Sequence, residues 1–545
     1  MSGLINSAMS GLNAAQSALM ITSLNISNYT VAGYNRQLLL MSQAGSTQSG
    51  NAWYGNGVRV DGVQRQYDEL ISRQLMEASA KNSAANSQFT QISGIDNMLT
   101  MDGNDLSDAL QQFFKNIQNV VDNAEDPAAR QALLSDAKSL AGQIRTFQQY
   151  LDNQQASVNN QIKDSVSAIN KYTSQIAALN EQIAKLSATG QAPNNLLDQR
   201  DQLVSELNNI TAVNVSMQDN SMVVSLPNGL TLVNGNQSTE MKAVPSAEDP
   251  GRLIPGYTDK LAGDIGLPDK MFTSGSLSGG LAFRREDLDS VQNRLGQLTV
   301  AFASQMNIVQ HQGYDSNGDP GTDFFTMGQP ETYRNSNNTS DTTLDASFTD
   351  SSALKASDYR VSWEQGRWTV TRLSDNQVLM PEVTSADGKT HLNIDGLDIT
   401  VNGDPAEKDS FLVRPLAGAA RGFDVALTDG SQIAAAAEPG GASDNRNAQA
   451  MLALQDSPIV GGSTLTEAYG SLVSFVGNET SSLEGRCQTG QQVVDQLTQR
   501  QQSVSGVNLD EEYSLLTQYQ QYYIANTRVL QTAGELFDAI INIRN

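Results

Sequence analysis

One cysteine in 545 residues, Cys487, leaves no partner for an internal disulfide. Two histidines, His311 and His391, cannot build a three-histidine metal centre, so neither a metal nor any other cofactor is expected. Charged residues are also scarce: 17% of the chain against roughly 25% in ordinary soluble domains, their place taken by Gln, Asn, Ser and Thr. What charge there is leans one way. With 59 acids against 34 bases the net charge is −25, which repels phosphate backbones and anionic lipid heads and argues against nucleic acid as a partner. No apolar run approaches the roughly 18 residues that span a bilayer, so no membrane insertion is expected. The first basic residue is Arg36, so no cleavable leader with a basic start is expected either. The 39% hydrophobic content is ordinary for globular chains, and the length implies about three or four domains.

Proline is missing from both ends: all 14 lie between Pro127 and Pro458, which leaves the termini free to form long helices. Ile5, Leu12, Leu19 and Ile26 recur every seven residues near the start, with Ala8 and Ala15 three further on. Leu509, Leu516, Tyr523, Leu530 and Phe537 recur at the same interval near the end, accompanied by Tyr519, Ala533 and Ile540. Two such seams at opposite ends predict a coiled coil between the terminal helices. Asp126-Pro127 reads as an N-cap followed by proline at the first helical position. From there Ala137, Ile144, Leu151 and Val158, then Ile162, Ile169, Ile176 and Ile183, predict a rod of about 60 residues, roughly 90 Å long. Further helices are expected at 66–100, 195–209 and 281–310.

Two stretches alternate apolar and polar residues between turn signals and read as β inserts, at 212–276 and at about 330–430. The fold class is therefore multidomain α+β. Residues 1–60 with 505–545 would form a terminal coiled coil. Residues 61–211, 277–312 and 442–504 would form a long-helix bundle. A small β insert at 212–276 and an outer β domain at 325–432 would sit between them.

The chain holds no phosphate loop, H-E-x-x-H or nucleophile elbow, so a non-enzyme is expected. Asp315, Asn317, Asp319 and Asp323 open like a calcium loop, but Pro320 stands at the sharp-turn glycine and Thr326 at the bidentate glutamate; an Asx-rich turn is the simpler reading. Gly55-Asn56-Gly57 likewise reads as a turn. Most unusual are the first 60 residues, which contain two arginines and no acid. A helix whose outer face carries Ser, Asn and Gln instead of charge is one whose outer face is covered in the working state. Four large seam residues are also too little apolar surface to order about 24 residues alone. The ends are therefore expected to gain their order from neighbouring subunits.

At these termini the chain resembles bacterial flagellar axial proteins, and specifically the hook-associated protein 1 family. Ser23-Leu24-Asn25-Ile26-Ser27-Asn28, then Gly33-Tyr34 and Arg36-Gln37, resemble that family's S-N-N-I-S-N-x-x-T-P-G-Y-x-R-Q signature, with departures at Leu24, Val31 and Ala32. Ser505 to Tyr513 (SGVNLDEEY), Asn195 to Leu203 (NLLDQRDQL) and the Asp126–Arg130 helix start are also family-like. The resemblance implies a structural subunit exported through the flagellar type III apparatus and arranged in a ring of about eleven copies at the hook–filament junction. It implies as partners further copies of the chain, the hook protein, a second hook-associated junction protein and an export chaperone that binds the C-terminal segment. It also adds Asn25, Asn28, Gly33 and Tyr34 to the seam residues as expected assembly contacts. Two alternatives remain open at this point: another axial subunit, of hook or rod, and a flagellum-borne secreted hydrolase.

Overall fold

A computed structural model describes residues 2–49, 51–100, 106–188, 193–218, 221–259, 261–386, 388–441 and 443–543. Among them the helices are α1 (Ser2–Asn28), α2 (Glu69–Leu99), α3 (Leu106–Asp122), α4 (Pro127–Ser187), α5 (Asn194–Ile210), α6 (Ser276–Ala282), α7 (Asp289–Gln312), α8 (Arg446–Ala453), α9 (Leu465–Ser505) and α10 (Leu509–Ile543). Their ends follow local chemistry. Asp68 caps α2 by accepting from Ile71 N at 3.0 Å, and Asp126 caps α4 by accepting from Ala128 N at 2.9 Å with Pro127 inside the first turn. Thr464 and Glu467 close a reciprocal capping box at the start of α9.

The rod α4 is 61 residues long, and Ala137, Ile144, Leu151, Val158, Ile162, Ile169, Ile176 and Ile183 are all buried along it. Against it pack α2, α3, α5, α6 and α7, and α9 packs in turn on α2 and α7. The interior is held by large side chains, with a ring cluster in which Phe302 of α7 lies 5.5 Å from Phe113 of α3 and 5.1 Å from Phe325; Phe423 follows 4.9 Å beyond Phe325. Between α6 and α7 the helix widens into a π-helical turn, Phe283–Leu288. There Asp287 is buried, takes a 2.8 Å hydrogen bond from Gln88 Nε2, and is pushed up to about 7 by burial.

The small insert lies along the rod as a four-stranded sheet from Asn214 to Ser238 and a three-stranded sheet of Met241–Pro245, Leu253–Asp259 and Gly263–Gly266. Three asparagines of α4 hold it by its backbone. Asn159 Nδ2 donates to Gly251 O (2.9 Å), Asn170 Nδ2 to Met241 O (2.8 Å) and Asn180 Nδ2 to Met222 O (2.9 Å).

The outer domain is two antiparallel sheets. One orders Glu331–Arg334, Ser410–Arg414, Tyr359–Glu364, Arg367–Arg372 and Gln377–Leu379; the other orders Thr343–Phe348, Leu397–Asn402, Lys389–Ile394 and Glu382–Ala386. Their alternating inner residues, among them Val361, Val370, Leu392, Ile399 and Phe411, form a separate core.

A buried ionic node joins this domain to the rest. Arg414 reaches Asp358 (3.2 Å) in its own domain, Asp249 (3.4 Å) in the small insert and Gln292 (3.2 Å) of α7. Arg252 of the insert completes it by donating to Asp289 at 2.9 Å.

The structure corrects one expected span. Residues 1–60 are not wholly coiled coil, because α1 ends at Asn28 and the chain turns into antiparallel strands β1 (Gln37–Gln43), β2 (Ser46–Ser49), β3 (Ala52–Gly55) and β4 (Val58–Arg65). Gly33 sits in the left-handed region at φ 77° and turns the chain, and Val58, Val60 and Val63 supply β-branched residues to the ladder that a count of charges overlooks.

Candidate assembly site at the terminal coiled coil

The helices α1 and α10 pack antiparallel. Gly11 lies against the carboxamide of Asn526, and Asn25 meets Glu512 two heptads further along each helix. The face of α1 that makes this contact is Ala8, Gly11, Ala15, Ala18, Thr22 and Asn25, all buried and alternately three and four residues apart. On α10 the facing row is Glu512, Tyr519, Asn526 and Ala533, of which Glu512 and Ala533 are buried.

This corrects the expected seam in part: its companions Ala8, Ala15, Tyr519 and Ala533 lie in it, and its large residues do not. Ile5, Leu12, Leu19 and Ile26 are half-buried at its flank rather than central, and Leu509, Leu516 and Leu530 are half-buried on the partner helix. Tyr523, Phe537 and Ile540 are exposed, Phe537 to 50%. The reason is distance. Small side chains at the centre of the seam let the two backbones approach closely, and bulky residues one position along are displaced to the rim.

At one end of the pair three of the four family-like motifs meet; the Asp126–Arg130 helix start lies at the other end of α4. Asn25 Nδ2 donates to Gln37 O (3.0 Å) and to Glu512 Oε2 (3.1 Å), while its Oδ1 accepts from Tyr34 OH (2.8 Å) and Gln37 N (3.0 Å). Arg36 Nε donates to Glu512 Oε1 at 2.7 Å, and Arg36 NH1 to Glu511 at 2.8 Å. Asp198, from the NLLDQRDQL helix, accepts from Asn35 Nδ2 at 2.7 Å and from Arg65 at 3.0 Å. Arg36 N also donates to Ser505 O at 2.9 Å, closing the chain end onto the segment that follows α1.

Burial, with the Asp198 and Glu512 charges nearby, pushes the Tyr34 hydroxyl up to about 12, so it stays a donor at every physiological pH. Gly33 is required on two counts. Its φ is positive, and a Cβ there would strike the Gln202 side chain. Asn28 turns back on its own helix, its Nδ2 donating to Leu24 O at 2.8 Å.

Of the expected contact residues, the structure brings Asn25, Tyr34 and Gly33 to this joint. Glu512, Arg36, Asp198 and Arg65 belong to it equally and were not singled out. Glu512, an acid in a heptad core position of a weakly charged helix, was the available signal.

Beside the joint lies a cleft of about 730 Å³. Leu24, Val31 and Ala32 line one side, the three positions at which the chain departs from the signature, and Ala178, Leu179 and Leu203 line the other. Asp198 is the one charged residue among its lining side chains; the polar remainder is mostly Gln and Asn.

Elsewhere, Asp315 closes its own loop. Its Oδ1 accepts from Asn317 N (2.8 Å) and Asp319 N (2.9 Å), and Asp323 turns away to His311 Nε2 at 3.0 Å. Among the described residues no three His, Cys, Asp or Glu side chains cluster as metal ligands, and no helix is long and apolar enough to cross a membrane.

The chain is a multidomain α+β protein that closes its two ends into one coiled coil and carries its remaining domains as insertions between them. Comparison with known proteins specifies it further. Residues 92–325 match the FlgK helical domain of flagellar hook-associated proteins, 333–415 the D2-like domain of flagellar hook-associated protein 1, and 498–543 the C-terminal region of flagellar basal body rod FlgEFG proteins. The chain is 49% identical to flagellar hook-associated protein 1 of Escherichia coli strain K12 and to that of Salmonella typhimurium, over 100% of each chain. The flagellar hook junction protein FlgK of Burkholderia pseudomallei superposes with a TM-score of 0.74 at 30% identity, covering 79% of this chain and 100% of that one. The chain belongs to the flagellar hook-associated protein 1 family.

Proposed function

We propose that the protein is a structural adapter at the hook–filament junction of the bacterial flagellum, needed for filament assembly, whose work is mechanical rather than catalytic. The observation that carries this reading is the distribution of exposed apolar side chains on the terminal pair. Its own seam is filled by small residues, yet Leu4, Met9 and Met20 on α1 and Ile524, Leu536, Phe537, Ile540 and Ile541 on α10 face outward. Large apolar side chains exposed on both helices of the pair are available for contact with other protein. A helix pair that withholds its large residues from itself has them available for neighbouring copies in a ring, for the hook protein on one side and for a second junction protein on the other. Export through the type III apparatus, with a chaperone holding the C-terminal segment, accords with long termini that lack a large apolar seam of their own.

The rod-protein match at 498–543 shows what this chain shares with axial subunits generally; the two β-bearing inserts and full-length identity to hook-associated protein 1 favour the junction over hook or rod. Replacing both Leu516 and Leu530 by Asp tests the reading. Secretion should continue and the helical bundle should melt at the parental temperature, while incorporation at hook tips and swimming are lost. Normal filaments in that double variant would overturn the proposal.

A further inference from the structure

Two features of the fold remain without an occupant or a role, and they match each other. The strand β3 is exposed along its whole length, with Trp53 at 67% and Tyr54 at 61% exposure. The other is the cleft beside the joint. Both are nearly uncharged in a chain of net charge −25: residues 44–57 hold no Asp, Glu, Lys, Arg or His, and the one charged side chain of the cleft lining is Asp198, already satisfied by Arg65 and Asn35. The hydration lost on entering a cleft of amides and aliphatic groups costs a charged segment far more than a neutral hairpin of Ser, Thr, Gln, Trp and Tyr, whose polar groups can pair with the cleft's amides. Tryptophan and tyrosine are also the side chains that anchor protein interfaces most strongly.

The aromatic pair cannot fill the cleft of its own chain. The ladder β1–β4 starts at Gln37 beside Asn25 and has reached Ser10 by Val58, whose N–H donates to Ser10 Oγ at 3.1 Å. Ser10 and Asn25 are separated by roughly 22 Å of helix at 1.5 Å per residue. The cleft lies at the Asn25 end, and β3 follows beyond the Ser10 end. A knob and a socket at different places on one surface make a head-to-tail contact, which propagates into rings or helices instead of stopping at a dimer.

We infer that Trp53 and Tyr54 of one copy seat in the cleft between α1, α4 and α5 of the next copy, and that this contact sets the lateral spacing of the assembled subunits. The inference rests on the adapter reading and gives it a specific interface. It also assigns a role to Leu24, Val31 and Ala32: they form the apolar wall that the aromatic pair meets.

The test uses the full chain with Cys487→Ser as background. Ala52→Cys, which keeps both aromatics of β3, and Ala178→Cys are introduced singly and together, and hook–filament junctions are isolated and oxidised. A disulfide needs Cα atoms about 4.4–6.8 Å apart, so a ladder of linked dimers and higher species is expected from the paired variant and only monomer from each single one. Separately, Ala178→Trp fills the cleft; it should leave secretion and melting unchanged and lower occupancy of hook tips at least tenfold in competition with the parent chain. Monomer alone from the paired variant, on hook tips where antibody labelling finds it, would overturn the contact and leave the adapter reading intact. So would parental occupancy by Ala178→Trp, which decides the matter if the paired variant is not secreted. Absence of the parent chain itself from hook tips would instead remove the adapter reading.

Discussion

The helical bundle and the terminal pair are both made of long helices, yet they are held by different forces. In the bundle, Ile, Leu and Phe side chains meet in a dry interior, and full burial of each contributes about 1.5–3 kcal/mol. In the terminal pair the same positions hold Ala8, Gly11, Ala15, Ala18 and Thr22, whose side chains bury at most a methyl group, and specificity is concentrated in the Asn25–Glu512–Arg36 cluster. A buried ion pair of that kind fixes register more surely than it adds stability. The bundle can stand by itself. The terminal pair aligns its two helices but leaves most of its apolar surface outward, which is the condition under which order comes from neighbours.

Breaking the comparison on the bundle side should have the largest effect. Phe302→Ala empties the centre of the ring cluster and should destabilise the bundle by about 3–5 kcal/mol, seen as a fall in its melting temperature, while amide exchange of α1 and α10 is unchanged.

Next is pH. Burial raises Asp287 to about 7 in the folded chain, against about 3.9 unfolded. A raised carboxyl favours folding below its unfolded value and loses that contribution as pH climbs to the folded one. The bundle should therefore melt progressively lower between about pH 4 and pH 7, a change on the order of a few kcal/mol. Asp287→Asn, which keeps an acceptor for Gln88, should flatten that slope in calorimetry; an unchanged slope would assign the pH dependence elsewhere.

On the terminal side, Glu512→Gln keeps the shape but removes the charge that Arg36 meets. A charge-assisted hydrogen bond contributes about 1.5–3 kcal/mol. Exchange of α1 and α10 in hook-bound chain should quicken on the order of tenfold, with the bundle untouched.

The smallest effect is expected from Gly11→Leu. Pushing the helices apart at Asn526 costs about 1–3 kcal/mol, offset by about 1 kcal/mol for removing a helical glycine. Hook-tip occupancy should fall only a few-fold. A larger loss than for Glu512→Gln would show that close approach matters more than the ionic cluster.

Much of the fold was legible in the residues. The rod α4 shows its seam as an unbroken row of Ile, Val, Leu and Ala with an Asp-Pro start, because large apolar residues at heptad spacing have one inexpensive arrangement. The outer β domain shows its strands as period-two runs such as YRVSWE. The terminal seam was legible only in its companions Ala8, Ala15, Tyr519 and Ala533, for the converse reason. Large residues at heptad spacing on α1 mark the rim, and the contact itself is made by alanine and glycine, which carry little signal in any count of hydrophobicity. The strands β1–β4 were missed because their pattern is short and lies among Ser, Gly and Gln.

By itself the sequence determined the helical ends, the long rod, the two β inserts, the absence of charge at the N-terminus and the motifs that place the chain in its family. These properties are local or periodic, and periodicity is written residue by residue. The tertiary structure alone decided that Asn25, Tyr34, Arg36, Asp198 and Glu512 meet at one joint, that Arg414 ties three units together, and that a neutral cleft opens beside Leu24. Those are encounters between residues as many as 487 positions apart, and they depend on how closely two helices approach. That distance was set by the smallest side chains in the contact.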